Sequence, residues 1–256
     1  EYLNLAPKYG IKVVPPSINR SETQFSVDNG EILYGLAAIK NVGANVVDSI
    51  IAEREKNGPY KSFMDFLSRQ GDATLNSRLV ECLIKTGCFD ELGIDRAILL
   101  ANLDEAFRYD KAQKSQSAFG QLSLFGGEEE SMLGEFEMKN ADPFPFLEKL
   151  KMEKELLGFY ISGHPLDSYE KEIRECVKVN VSDPDTIVLG QDTQIIGQII
   201  AQKVVISKKS GGKLLFLTIQ TQDGDVEAAV FTTVYEKIAG RTVVDGMYGF
   251  ERRFDR

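Results

Sequence analysis

The hydrophobic pattern of this 256-residue chain changes period once, and that change limits the folds open to it. Between residues 31 and 110 apolar side chains recur at spacings near 3.6, with helix breakers at Gly43, Gly58-Pro59 and Gly87. From Thr193 onward the spacing drops to about 2, the period of a strand with one buried face. Helical and sheet segments that follow one another in blocks, rather than alternating, pack as separate layers and predict a multi-domain α+β protein. The length allows two ordinary domains or three small ones. At the N-terminus a short amphipathic helix (Tyr2 to Tyr9) is expected to end at Gly10, and a strand over Ile11–Val14 to stop at Pro15-Pro16. Residues 113–143 lose the periodicity. Gln113, Ser115, Gln116, Ser117, Gly126-Gly127 and Glu128–Glu130 have the composition of a linker. Helical patterning resumes over about Phe146–Ser162 and Asp167–Cys176, and Pro184 marks a further break.

The period-2 region reads as three antiparallel strands in succession: Ile195–Ile206, Leu214–Ile219 and Val226–Phe231. Turns at Lys208-Lys209-Ser210-Gly211-Gly212 and Asp223-Gly224-Asp225 connect them. A short helix near Val234–Ile238 and a strand near Met247–Arg253 follow. That order is similar to an OB-type β-barrel, with its closing strand not accounted for in the sequence.

Composition narrows the function classes. Nothing approaches eighteen consecutive apolar residues, so no membrane span is expected. The start, Glu1-Tyr2-Leu3-Asn4, has neither an initiator Met nor a signal core, and reads as an interior point of a longer chain. Three cysteines without a CxxC pair suit a reducing cytoplasm, and His164 is the one histidine, so no zinc site is expected. The net charge of −9 argues against a strongly basic nucleic-acid binder, but the charge is unevenly spread. Residues 1–70 carry 8 basic and 8 acidic side chains, residues 71–189 carry 13 and 23, and residues 190–256 carry 9 and 8. Both ends are therefore close to neutral, and backbone amides with a few cations are enough there for weak, sequence-independent DNA contact.

Leu36, Ile39, Val42, Val46 or Val47, and Ile50 are spaced to pack two short helices around Lys40-Asn41-Val42-Gly43-Ala44. A tight turn there points amides outward at the start of the second helix, where the helix dipole also favours a phosphate, and Lys40 adds a cation. The stretch resembles the helix-hairpin-helix motif of DNA-binding proteins, which prefers Gly-hydrophobic-Gly. Asn41 stands in place of the first Gly and tolerates a left-handed backbone better than most residues. An ordinary hairpin packing its own core is the competing reading. A second hairpin, Leu79 with Leu83-Ile84-Lys85-Thr86-Gly87-Cys88-Phe89-Asp90, reads as structural packing.

Gln121-Leu122-Ser123-Leu124-Phe125 places three large apolar side chains inside the polar stretch, as an extended segment that fills a partner's pocket does. It resembles the Gln-x-x-Leu-Phe clamp-binding pentapeptide. In the sheet region, Lys203, Lys208, Lys209 and Lys213 surround the first hairpin beside Phe216, the combination of cations and aromatic with which such barrels hold single strands. A solvated hairpin tip with Phe216 in the core is the alternative.

Lys154-Glu155-Leu156-Leu157-Gly158-Phe159-Tyr160-Ile161-Ser162-Gly163-His164-Pro165-Leu166 reads as a helix that buries Leu156, Leu157, Tyr160 and Ile161, is capped by Gly163 and stops at Pro165. His164 has no nucleophile, base or metal partner in sequence context and reads as structural. This string resembles the LGFY-x-SGHPL segment of the bacterial DNA polymerase III alpha subunit family of replicative polymerases, and Lys12–Ser21 is similar to that family's PP-x-x-N-x-S stretch, with Ser17 where Asp is common. The resemblance implies four regions: residues 1–30 as the end of the fingers, 31–110 as a helix-hairpin-helix DNA-binding region, 111–189 as a clamp-binding linker with a helical segment, and 190–256 as an OB-fold domain. It implies double-stranded DNA, single-stranded template, the beta sliding clamp and other replisome subunits as partners. The catalytic aspartates and their Mg²⁺ would lie in a palm domain before residue 1, so the chain itself holds no catalytic residue, metal or cofactor. A repair or recombination factor joining helical hairpins to an OB module is the rival class; a nuclease or deaminase is disfavoured because the sequence offers no metal cluster and no nucleophile–base arrangement.

Overall fold

A computed structural model describes residues 6–71, 75–120, 136–177, 179, 181, 183, 190, 192–207, 211–222 and 224–253. The chain forms two compact units, Glu1–Ser162 and Gly163–Arg256.

Of the helix expected over Tyr2 to Tyr9, residues 2–5 lie outside the described residues and Ala6–Tyr9 form a 3-10 turn; short strands follow as β1 (Val13–Val14), β2 (Ser26–Asp28) and β3 (Glu31–Leu33). They form a sheet in the order β1-β3-β2, with β1 parallel and β2 antiparallel to β3. Helix does not begin at residue 31, as the apolar spacing predicts, but at Ala44 after a strand over Glu31–Leu33 and a 3-10 turn. Asn29 (φ 51°) and Gly30 (φ 83°) make the left-handed pair that a two-residue hairpin requires. That turn carries the chain from β2 into β3 before helical structure begins.

Among the described residues five helices then follow: α1 (Ala44–Asn57), α2 (Phe63–Arg69), α3 (Ser77–Lys85), α4 (Arg96–Gly120) and α5 (Phe146–Leu157). Ser62 caps α2 by accepting from the Asp65 amide at 3.0 Å, and Asn76 caps α3 by accepting from the Leu79 amide at 2.9 Å. Their apolar faces share one core, in which Phe63, Phe66, Tyr60 and Phe89 meet edge to face. Cys82 and Cys88 are buried thiols and Cys176 is exposed. Burial pushes the Cys88 thiol up to about 12.

Two further helix boundaries differ from the sequence expectation. The polar stretch from residue 113 does not begin as a linker, because α4 continues to Gly120. Its last turns are sustained by local bonds rather than an apolar stripe: Gln113 Nε2 donates to Tyr109 Oη at 2.8 Å and Lys114 pairs with Asp110 at 2.7 Å. Lys114 also reaches the Leu67 and Gln70 carbonyls of the α2 end, at 3.1 and 2.9 Å. The helix from Phe146 ends at Leu157 and not near Ser162, because Gly158 (φ 89°) turns left-handed and closes it onto the Lys154 carbonyl at 3.1 Å. Tyr160 and Ile161 consequently lie beyond the helix and are half-buried.

The second unit begins with a 3-10 turn (Pro165–Tyr169) and α6 (Glu170–Cys176). His164 is structural: its Nδ1 accepts from the Leu166 amide at 3.1 Å while its own amide donates to Asp167 at 2.6 Å. Strands β4 (Asp192–Ile206), β5 (Lys213–Gln220), β6 (Asp225–Val230) and β7 (Met247–Arg253) form an antiparallel sheet ordered β6-β5-β4-β7, with α7 (Thr232–Ile238) between β6 and β7. Among the described residues this sheet is open, with no closed barrel. A bulge between Ile199 and Ala201 bends β4. Gly197 permits the close approach of β5, since a Cβ there would lie 2.4 Å from Ile219 Cγ2 and 2.8 Å from the Gln220 carbonyl oxygen. Ile195, Ile199, Leu215, Leu217, Ile219 and Val226 form the core of this unit. Among the described residues no helix is long and apolar enough to cross a membrane.

Candidate nucleic-acid interface

Lys40 to Ala44 form a tight turn that leads into α1. Leu36, Ile39, Val42, Val47 and Ile50 are buried as their spacing predicts. The segment before the turn is a single 3-10 turn (Leu36–Ala38) and not a full helix, because Ile39 is already extended at φ −72°, ψ 129°. Asn41 adopts φ 67°, so the residue standing in for the motif's first glycine takes the left-handed conformation. Its amide group donates to Cys82 Sγ at 3.8 Å, which links the turn to α3.

Gly43 is the N-cap of α1, at φ −81° and ψ 143°, with no side-chain capping bond and no acidic residue in the first turn. The first amides to bond back are those of Val46 and Val47, both onto the Gly43 carbonyl, at 3.1 and 3.2 Å. The amides of Gly43, Ala44 and Asn45 thus precede the helical ladder, at the positive end of the dipole. A Cβ on Gly43 would meet nothing within 4 Å, so the space in front of them is open. Lys40 and Asn41 are exposed beside it. An anion with several oxygens matches this arrangement, and none of the contacts would read a base.

The turn is held from behind by the segment that follows α5. The Lys40 amide donates to the Leu156 carbonyl at 3.0 Å. The Tyr34 hydroxyl lies 3.2 Å from the Ala38 carbonyl oxygen and 3.1 Å from that of Leu157, and its ring sits between Phe25 and Phe159. Beneath them, Arg96 (4% exposed) and Glu153 (0% exposed) form a buried ion pair at 3.1 Å. Glu153 also accepts from the Ile161 and Ser162 amides, at 3.1 and 3.0 Å, and from the Ser162 hydroxyl. Arg96 donates to the Lys85 carbonyl at 3.1 Å and to both carboxylate oxygens of Asp90. Burial is the largest influence on the guanidinium and pulls its pKa down, yet Asp90 and Glu153 together outweigh it and hold the group above its usual range. Read from its lysine neighbours alone, Glu153 belongs on a solvated face, as exposed Glu155 does. Its partner lies 57 residues away, so no local pattern announces it.

The second hairpin is structural. Gly87 (φ 83°) leaves no room for a side chain: a Cβ would lie 2.3 Å from Arg96 Nη2 and 2.7 Å from Asp90 Oδ2. The Pro15–Ser21 stretch is a brace across both hairpins. The Ile18 amide donates to the Cys88 carbonyl at 2.9 Å, Asn19 exchanges two bonds with the Tyr60 backbone, and buried Arg54 donates to the Ile18 and Ser21 carbonyls. Ser17 accepts from the Asn19 and Arg20 amides and donates to Glu91 at 2.8 Å.

On the sheet, Lys203 lies directly opposite Phe216 on β5, so the two side chains share a face. Phe216 is 43% exposed, and both lysines, Lys203 and Lys213, are exposed. The core takes the other face, through Leu215, Leu217 and Ile219. Lys208, Lys209 and the pentapeptide Gln121–Phe125 lie outside the described residues.

The first unit is thus a helix-hairpin-helix protein module, linked in one chain to an antiparallel sheet, and a helix-hairpin-helix motif family model matches residues 10–99. The chain is 40% identical over 238 residues to a DNA polymerase III subunit alpha of Borreliella burgdorferi, covering 92% of this chain and 21% of that relative. It is 36% identical over 247 residues to the Thermus aquaticus subunit (96% and 20%) and 34% identical over 234 residues to that of Escherichia coli K12 (90% and 20%). Over the region it covers, the chain belongs to the DNA polymerase III subunit alpha family, and it spans about a fifth of the length of these relatives.

Proposed function

We propose that this chain is an accessory region of a bacterial replicative DNA polymerase that works in the cytoplasm and holds DNA and the sliding clamp while a palm elsewhere in the protein, with its Mg²⁺, adds nucleotides. Residues 31–110 grip the duplex backbone, residues 111–189 carry the clamp motif, and residues 190–256 form an OB-type domain for single-stranded template; residues 1–30 end the fingers. The observation that carries this reading is the uncapped start of α1 at Gly43, with Lys40 beside it and open space in front, in a chain whose relatives are polymerase subunits. The OB reading is supported by the long bulged strand β4 shared between β5 and β7, and the template reading by the Lys203–Phe216 pair with Lys213, continued by Lys208 and Lys209 in the turn sequence.

Duplex affinity on this account is independent of sequence and falls steeply with salt. Gly43 has backbone angles open to any residue, so Gly43→Val folds normally while its branched side chain blocks the phosphate. Gly43→Val and Lys40→Ala should each weaken duplex binding in fluorescence anisotropy, by about tenfold for the loss of one charge-assisted contact. Unaltered affinity in both variants would place the DNA contact elsewhere.

Clamp binding is assigned to Gln121, Leu122, Ser123, Leu124 and Phe125. Replacing Leu124 and Phe125 with Ala removes two anchors, each worth about 1.5–3 kcal/mol if fully buried by the partner. Calorimetry against the beta clamp should then register no binding while circular dichroism stays unchanged; full binding by the double variant contradicts the assignment. Among the acidic residues, Glu153 is already paired with Arg96, and Asp225 stands at the start of β6 directly after the Gly224 turn. The isolated chain should therefore yield no product in primer extension with Mg²⁺ and four nucleotides, and extension abolished by an Asp or Glu substitution in this chain would refute its accessory role.

A further inference from the structure

Strand β4 is longer than its neighbours can cover. Its first part, Asp192–Gln198, pairs with β7, and Ile199 is bonded by Gly246 and Asp245. Its later part pairs with β5 alone, so from Ala201 to Ile206 one edge of β4 is open among the described residues. All six of these residues are exposed, with Val204 at 49% and Ile206 at 66%. The Ser207 amide donates to the Gly212 carbonyl at 2.8 Å, which fixes the alternation: Val205 and Lys203 direct their backbone groups to β5, whereas Ile206, Val204 and Gln202 direct theirs outward. The open edge therefore presents donors and acceptors in strand register, flanked by Val204 and Ile206 on one face and by Lys203 and Val205 on the other. Natural proteins usually protect such an edge.

We propose that the open edge of β4, Gln202–Ile206, takes up an extended polypeptide segment of alternating acidic and apolar residues, which joins the sheet as an added strand. The charge distribution selects this occupant. From Thr193 to Gln222 the sequence has four lysines (Lys203, Lys208, Lys209 and Lys213) and no acidic residue, within a chain of net charge −9. A second copy of the chain would bring two such lysine sets together, and like charges oppose that pairing. A nucleic-acid strand offers phosphate acceptors to the outward amides but has no regularly spaced donors for the outward carbonyls. A peptide satisfies both, placing apolar side chains over Val204 and Ile206 and carboxylates against Lys203.

The test uses the full isotope-labelled chain and a synthetic nine-residue peptide of alternating Asp and Val, with a Lys/Val peptide and oligo(dT) as comparisons. The Asp/Val peptide should shift the amide signals of Gln202, Val204 and Ile206 at low salt, and the Lys/Val peptide should not. Val204→Pro removes an outward amide that the sheet does not use, so the chain stays folded. It should weaken the peptide about tenfold or more, and Lys203→Glu should do the same. Absence of shifts at the edge, equal response to both peptides, binding unaltered by Val204→Pro, or self-association through this edge would each overturn the proposal. So would oligo(dT) competing for these amides in place of the Phe216 face.

Discussion

The buried contact between Arg96 and Glu153 organises the helical unit more than any other single interaction. Two opposite charges withdrawn from water are stable only when their remaining hydrogen-bonding capacity is met. Here it is met by backbone. Arg96 draws in the Lys85 carbonyl at the end of α3, and Glu153 draws in the Ile161 and Ser162 amides beyond α5. One ion pair thereby ties the end of the second hairpin, the start of α4 and the segment after α5 into one arrangement. Gly87 is glycine for the same reason, since a side chain there would occupy the volume of the guanidinium.

That arrangement has a functional consequence. The turn proposed to meet phosphate contains an exposed lysine, a left-handed Asn41 and an uncapped helix start, none of which stabilises itself. Its geometry is imposed from behind, by the Leu156 carbonyl on the Lys40 amide and by Val42 sunk into the core. A site built from backbone amides needs such support, because no rotamer can correct a misplaced amide. The LGFY segment, over a hundred residues later in the sequence, is therefore part of the hairpin's foundation.

Much of this was legible in the sequence. The switch from helical to strand periodicity marked where helices give way to the antiparallel sheet, although the second unit already begins at Gly163, and the apolar spacing of Leu36, Ile39, Val42, Val47 and Ile50 named core positions correctly. Polar local support was not legible: α4 continues past residue 113 on Gln113–Tyr109 and Lys114–Asp110 contacts that leave no apolar stripe. The β2–β3 hairpin was announced only by Asn29-Gly30, a signal too short to show against helical surroundings. Glu153 could not be read at all, since its environment is made by residues distant in sequence. Gly163 reads as a helix stop because Gly158, five residues earlier, sits in a run of apolar residues that hides its role as the cap.

The role of the Arg96–Glu153 pair is tested most directly by comparing Glu153→Gln with Glu155→Gln in urea unfolding and in duplex binding at fixed salt. With Asp90 still neutralising Arg96, Glu153→Gln should cost about 2–3 kcal/mol of stability. Under conditions where it remains folded it should also bind duplex DNA more weakly, since the support behind Lys40 is loosened. The exposed Glu155→Gln should change stability by no more than about 0.5 kcal/mol and leave binding intact. A Glu153→Gln chain with unchanged stability, or one that is destabilised yet binds duplex with undiminished affinity, would contradict the claim that the buried ion pair holds in place the turn proposed to meet phosphate.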